Sequence, residues 1–231
     1  MPSNHDYLKR LMSVECRDST YRPEAHPLVF KSAKGSIIWD AEDRPYIDLC
    51  AGFGALALGH ASSALTNVAS AIVQNMDVGF APPIEHAMGD VYPSIEKVEY
   101  LELMRQLLAP HFDLGALALG GGQAVEIPLK TSMLATGHSG FIAFEDAYHG
   151  LDLGVLPLTA RQDFRRPFKS WISESKVIRL PYGSPREAIK EAIKSLSKAG
   201  LAAIIAEPIQ GRAGVRPPPD GWLAMLSEVA H

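Results

Sequence analysis

An alternation in the second half of this chain limits its possible folds more than any other feature. Short runs rich in Ile, Val, Leu and Ala, at residues 116–119, 141–144, 176–180 and 201–206, are separated by stretches with helical apolar spacing. The runs lack the polar alternation of a sheet with one wet face, so they predict an α/β arrangement, a mostly parallel sheet with helices on both faces. Helices are expected from about Gln123 and around Ile189, Ile193 and Leu196. In such sheets ligands gather beyond the carboxyl ends of the strands. Three segments fall there: Gly120-Gly121-Gly122, Tyr148-His149-Gly150 and Glu207-Pro208-Ile209-Gln210-Gly211.

Residues 1–78 read differently. Two β-type runs, 36–40 and 45–49, flank the polar turn Ala41-Glu42-Asp43-Arg44 and predict a hairpin with one packed apolar face. After Gly52, Gly54 and Gly59, Ser62 can N-cap a helix to about Gln74 that aligns Leu65, Val68, Ala69 and Ile72. The expected unit is a small α+β lobe. Residues 79–95, with several Gly and Pro, form a connection, and 96–231 make the larger domain, opening with a helix near 96–109 that carries Val98, Leu101 and Leu108.

Composition narrows the function. With 22 Lys plus Arg against 26 Asp plus Glu the formal charge is −4, so no cationic face is offered to nucleic acid or anionic lipid. The apolar runs are far shorter than the roughly 20 residues that span a bilayer. The first residues, with Asn4, His5 and Asp6, lack the apolar core of a signal peptide, which makes the cytoplasm the expected compartment. Cys16 and Cys50 have no metal-ligand spacing; both are expected as buried thiols, and no metal site is expected.

Each of the three segments admits two readings. A glycine run between strand and helix can turn backbone N–H groups toward a phosphate, where the helix dipole also favours an anion. It can equally be a turn that lets helix and strand pack closely. Tyr148 offers a face for a flat ring, or ordinary packing with its hydroxyl satisfied. Glu207, a carboxylate ending a buried strand, either serves a site or faces water.

Taken in order, these segments resemble the class III pyridoxal-phosphate-dependent aminotransferases, the group of ornithine, acetylornithine and 4-aminobutyrate aminotransferases. The resemblance extends over most of the chain. Gly35-Ser36-Ile37-Ile38-Trp39-Asp40 with Tyr46-Ile47-Asp48 is similar to the family's small-domain hairpin, and Leu58-Gly59-His60 to its Leu-Gly-His. Gly120-Gly121-Gly122-Gln123-Ala124 falls where the family has Ser-Gly-Ser/Thr-Glu-Ala, and Ala147-Tyr148-His149-Gly150 matches its aromatic-His-Gly. Phe164-Arg165-Arg166-Pro167-Phe168, Glu207-Pro208-Ile209-Gln210-Gly211 and Pro218-Pro219-Asp220-Gly221 complete the series.

The resemblance implies a fold-type-I transferase architecture, a pyridoxal 5'-phosphate cofactor and amino transfer between a small-molecule amino donor and a keto or aldehyde acceptor. It places cofactor binding on Gly120, Gly121, Gly122, Gln123, Tyr148, His149, Glu207 and Gln210. Gly121 and Gly122 would hold the phosphate, Tyr148 would stack on the ring, and Glu207 would lie near cofactor and substrate. The family's ring-nitrogen Asp and its cofactor-anchoring Lys correspond to positions after His231, so no catalytic residue is assigned here. Lys130 falls in the helix after the phosphate segment, where the family commonly has a non-catalytic lysine.

By the same resemblance the large-domain sheet is incomplete, because the strands flanking 116–119 come from that later part. A homodimer partner or a complementing C-terminal chain is therefore expected to cover open edges. Local departures exist. Gly120 and Gly122 replace hydroxyl residues, Gln123 replaces Glu, Pro128 stands inside a helix, and Leu151 sits where several relatives carry Arg. They favour a second reading, a non-catalytic relative kept for assembly or binding. A nucleotide-binding module is a third, but the glycines carry neither a following Walker lysine nor a Gly-x-Gly-x-x-Gly spacing.

Overall fold

The computed structural model describes residues 2–15, 27–52, 54–77, 93–172 and 176–230. The chain divides into two compact units, Met1–Val98 and Glu99–His231.

The first unit opens with a helix the periodicity did not suggest, α1 (Asn4–Val14). Its start is fixed by a capping box: the Ser3 hydroxyl accepts from Asp6 N–H, and the Asp6 carboxylate accepts from Ser3 N–H. The hairpin is present and extended by one strand. Strands β1 (Phe30–Lys34), β2 (Ile37–Asp40) and β3 (Pro45–Ile47) form an antiparallel sheet in that order.

Its turn is organised by Asp40, fully buried, whose carboxylate accepts from the backbone N–H groups of Glu42 and Arg44, Asn4 Nδ2, Arg44 Nε and Tyr46 Oη. Burial alone would raise its pKa, but these donors outweigh it and hold the carboxyl well below the usual carboxylate range.

Helix α2 (Ser63–Asp77) follows, with Leu65 and Val68 exposed, so the apolar stripe seen in the sequence is uncovered among the described residues. Cys50 is exposed rather than buried. It lies in the turn after β3, where its N–H and that of Ala51 donate to the Asp48 carboxylate and the side chain is left outside. Cys16 and residues 79–92 lie outside the described residues.

The second unit is built on α3 (Ile95–Leu108), which begins just before it, α4 (Gly121–Thr136), β4 (Gly140–Phe144), α5 (Gln162–Arg165), β5 (Val177–Leu180), α6 (Arg186–Ser195), β6 (Leu201–Ile204) and α7 (Trp222–Ala230). The three strands are parallel in the order β5-β4-β6, as the alternation predicts. Because side chains alternate across a strand, β4 feeds both faces. Ile142 and Phe144 pack with Ile189 and Ala192 of α6, Leu196 that caps it, and Trp222 and Leu226 of α7. Ala143 packs on the other side with Leu129 of α4, Val155 and Leu158.

The helix after the glycines starts at Gly121, two residues earlier than expected, and runs unbroken through Pro128. Residues 116–119 are not a strand. A strand needs a ladder partner, and among the described residues none pairs with this run. Leu114, Leu117 and Leu119 are 94%, 48% and 100% exposed. No described helix is long and apolar enough to cross a membrane, and no described cluster of His, Cys, Asp or Glu could hold a metal ion.

Candidate cofactor site

The site is assembled where β4 and β6 end and α4 begins. Beyond Phe144 the chain turns through Asp146, which has a left-handed φ of 61°, and emerges as Ala147-Tyr148-His149-Gly150. Beyond β6 it emerges as Glu207 to Gly211. The Glu207 carboxylate joins the two exits: Oε1 accepts from Tyr148 N–H at 2.9 Å and Oε2 from Gly211 N–H at 3.2 Å. Its backbone is held from below, since Tyr182 Oη donates to Glu207 O at 2.9 Å. Tyr182 is itself fixed by edge contacts to Phe144 and Trp222, so the core behind the sheet sets the height of the carboxylate.

Gln210 is wholly buried. Its Nε2 donates to Glu145 O at 2.7 Å, and its backbone pairs in both directions with Arg216, whose guanidinium reaches the Asp146 carboxylate at 2.7 Å. Gln210 thus fixes one loop against the other. His149 also points inward, 7% exposed, with Nε2 meeting no hydrogen-bond partner among the described residues. Burial, and then the nearby Arg179 guanidinium, push its pKa down to about 4. Its N–H donates to Thr159 Oγ1, which donates on to Gly150 O. Thr159 is fully buried and was invisible to sequence reasoning, having no motif around it.

The triglycine turn meets this assembly directly. A Cβ on Gly150 would lie 2.8 Å from Gly122 Cα, and its φ of +127° is open only to glycine, so the close approach of the two segments depends on Gly150. Gly120 is the extended N-cap of α4 and offers no side-chain acceptor. Gln123 Oε1 reaches back to Leu119 N–H at 3.3 Å. The N–H groups of Gly121, Gly122 and Gln123, the open end of the helix, meet no acceptor among the described residues.

Tyr148 is half-buried. The Phe164 ring meets it edge-on at 6.4 Å, and the Arg212 guanidinium lies 4.6 Å over the ring, covering one face. Arg212 and Asp152, the latter pressed against Gly122, carried no signal in the sequence. Donors for an anion, a ring with a face and a carboxylate that joins the Tyr148 and Gly211 loops therefore share one end of the sheet. This donor set fits a phosphorylated aromatic cofactor.

The sequence profile of the family described as Aminotransferase class-III matches residues 20–231. The chain belongs to that family. Among its relatives, an acetylornithine aminotransferase of Methanopyrus kandleri is 32% identical over 203 residues, which is 88% of this chain and 48% of that protein. A [LysW]-aminoadipate semialdehyde transaminase of Deinococcus radiodurans is 29% identical, over 94% of this chain and 47% of that protein.

In fold, this class-III chain resembles an (S)-enantioselective omega-transaminase from Thermomicrobium roseum, with a TM-score of 0.77 over 99% of this chain and 55% of the other, at 23% identity. It also resembles the ornithine aminotransferase of Toxoplasma gondii, at 0.76 and 19% identity over 99% of this chain and 51% of the other. The chain spans about half the length of the curated relatives it matches.

Proposed function

We propose that this chain supplies the phosphate cradle and the ring-stacking wall of a pyridoxal 5'-phosphate pocket, in an aminotransferase that moves an amino group from a small-molecule donor to a keto or aldehyde acceptor. The observation that carries the reading is the Gly150–Gly122 contact, which brings the open end of α4 to the base of Tyr148. In this reading the backbone N–H groups of Gly121, Gly122 and Gln123 hold the phosphate, aided by the helix dipole, and Gly120 contributes no side chain. Tyr148 gives the pyridine the face that Arg212 leaves open. Glu207 positions Tyr148, while His149 and Gln210 act by filling and bracing the two loops. The bound cofactor supplies an electron sink for the donor's Cα–H bond.

The anchoring amine and the carboxylate that keeps the ring nitrogen protonated come, on this reading, from residues outside these 231, in the same polypeptide or in a complementing chain. Two surfaces support that: the unpaired run at 116–119 with its exposed leucines, and α3, which buries none of its residues. Relatives named for acetylornithine and for aminoadipate semialdehyde make small amines and aldehydes the first substrates to try.

The test is complementation. The full chain is refolded with and without the C-terminal half of a class-III relative, and pyridoxal 5'-phosphate is added. The reading predicts a complex that retains the cofactor through dialysis, fixes it with borohydride and transfers an amino group. A stable complex with neither cofactor retention nor transfer would replace it with the assembly reading.

A further inference from the structure

Asp152 lies at the cradle but serves none of the roles assigned above. A Cβ on Gly122 would sit 2.2 Å from Asp152 Oδ2 and 3.0 Å from its Cγ, so the carboxylate fills the volume that a side chain at position 122 would need. The backbone at Asp152 is held: its carbonyl accepts from Val155 N–H at 3.0 Å and Leu156 N–H at 2.8 Å, and both of those side chains are buried. No cation pairs with Asp152 among the described residues. The first turn of α4 contains no acidic residue, and Gly120 gives it no side-chain cap. Asp152 is thus a carboxylate brought by another segment to the positive end of the helix.

We propose that Asp152, an exposed carboxylate beside Gly122 at the positive end of α4, sets by charge repulsion how tightly the cradle takes a phosphate ester. The proposal rests on the cradle reading given above. A carboxylate and a phosphate dianion a few ångströms apart repel, and at intermediate screening that repulsion is worth roughly tenfold in affinity.

The probe is pyridoxine 5'-phosphate, with unphosphorylated pyridoxine as control, titrated into the full chain. Asp152→Asn keeps the shape and removes the charge; Asp152→Ala removes both. Each is expected to tighten the phosphate ester about tenfold and to leave pyridoxine unmoved, a difference that a merely structural role would not produce. Ester affinity equal in parent, Asn and Ala forms overturns the proposal and leaves the cradle standing. No phosphate-dependent binding in any of the three overturns both.

Discussion

His149 is a buried imidazole whose neutrality the fold enforces, and acid should expose the cost. Enclosure first, and the Arg179 guanidinium second, lower its pKa from 6.5 to about 4. Between those values the unfolded chain binds a proton that the folded chain refuses, so stability rises with pH across the window and falls as the solution is acidified through it. The whole window is worth about 3 kcal/mol, and about 2 kcal/mol of that is gone by roughly pH 5. Asp40 does not confuse this range. Its carboxyl is held below the usual values, so its stabilisation is complete above the unfolded carboxylate pKa and is lost only in more acidic solution.

Trp222, 4% exposed in the core behind β4, reports unfolding of the sheet unit by its fluorescence. Urea titrations of the full chain at about pH 7 and about pH 5 should show the parent losing about 2 kcal/mol more than His149→Gln, which has no proton to gain. The glutamine retains the backbone donor to Thr159, so the loop is expected to keep its path. Parallel losses in parent and variant would refute the reasoning.

Three further substitutions probe the frame of the site. Glu207→Ala removes an acceptor shared by Tyr148 N–H and Gly211 N–H and is expected to cost about 2 kcal/mol in urea unfolding, while Glu207→Gln, with one acceptor left, should cost about half. Gly150→Ala adds a methyl group 2.8 Å from Gly122 Cα at a φ of +127°, and a loss of at least about 2 kcal/mol by the same assay is expected. Phe144→Ala, at a fully buried ring contacting Trp222 and Tyr182, should lose about 3–5 kcal/mol, and a loss under about 1 kcal/mol would show that the aromatic cluster does not set the core.

The parallel sheet was legible because its strands are buried on both faces, and an unbroken apolar run as short as Phe141-Ile142-Ala143-Phe144 fits a covered strand far better than an exposed one. The triglycine turn, Tyr148 and Glu207 could be placed at one end of the sheet from the alternation, but only the family resemblance gave them a shared ligand. Their meeting depends on Gly150 passing over Gly122, and no local pattern encodes such a contact. Thr159, Arg212 and Asp152 escaped for the same reason: each acts across a loop closure rather than along a periodic element. The run at 116–119 misled in the opposite way, since apolar composition gives strand propensity but a strand also needs a neighbour. The small lobe's α1 was signalled by Ser3 and Asp6 at capping-box spacing, a cue easily lost beside a polar sequence.

Whether a helix end and a tyrosine face form one receptor for a phosphorylated ring can be measured without any catalysis. Pyridoxine 5'-phosphate lacks the aldehyde that would attach it to stray lysines, so its binding to the full chain reads the non-covalent cradle alone. The phosphate is expected to tighten binding at least about tenfold over pyridoxine, and Tyr148→Ala to weaken the ester by about three- to tenfold. Equal binding of ester and alcohol, or an ester affinity unmoved by Tyr148→Ala, would contradict the shared receptor.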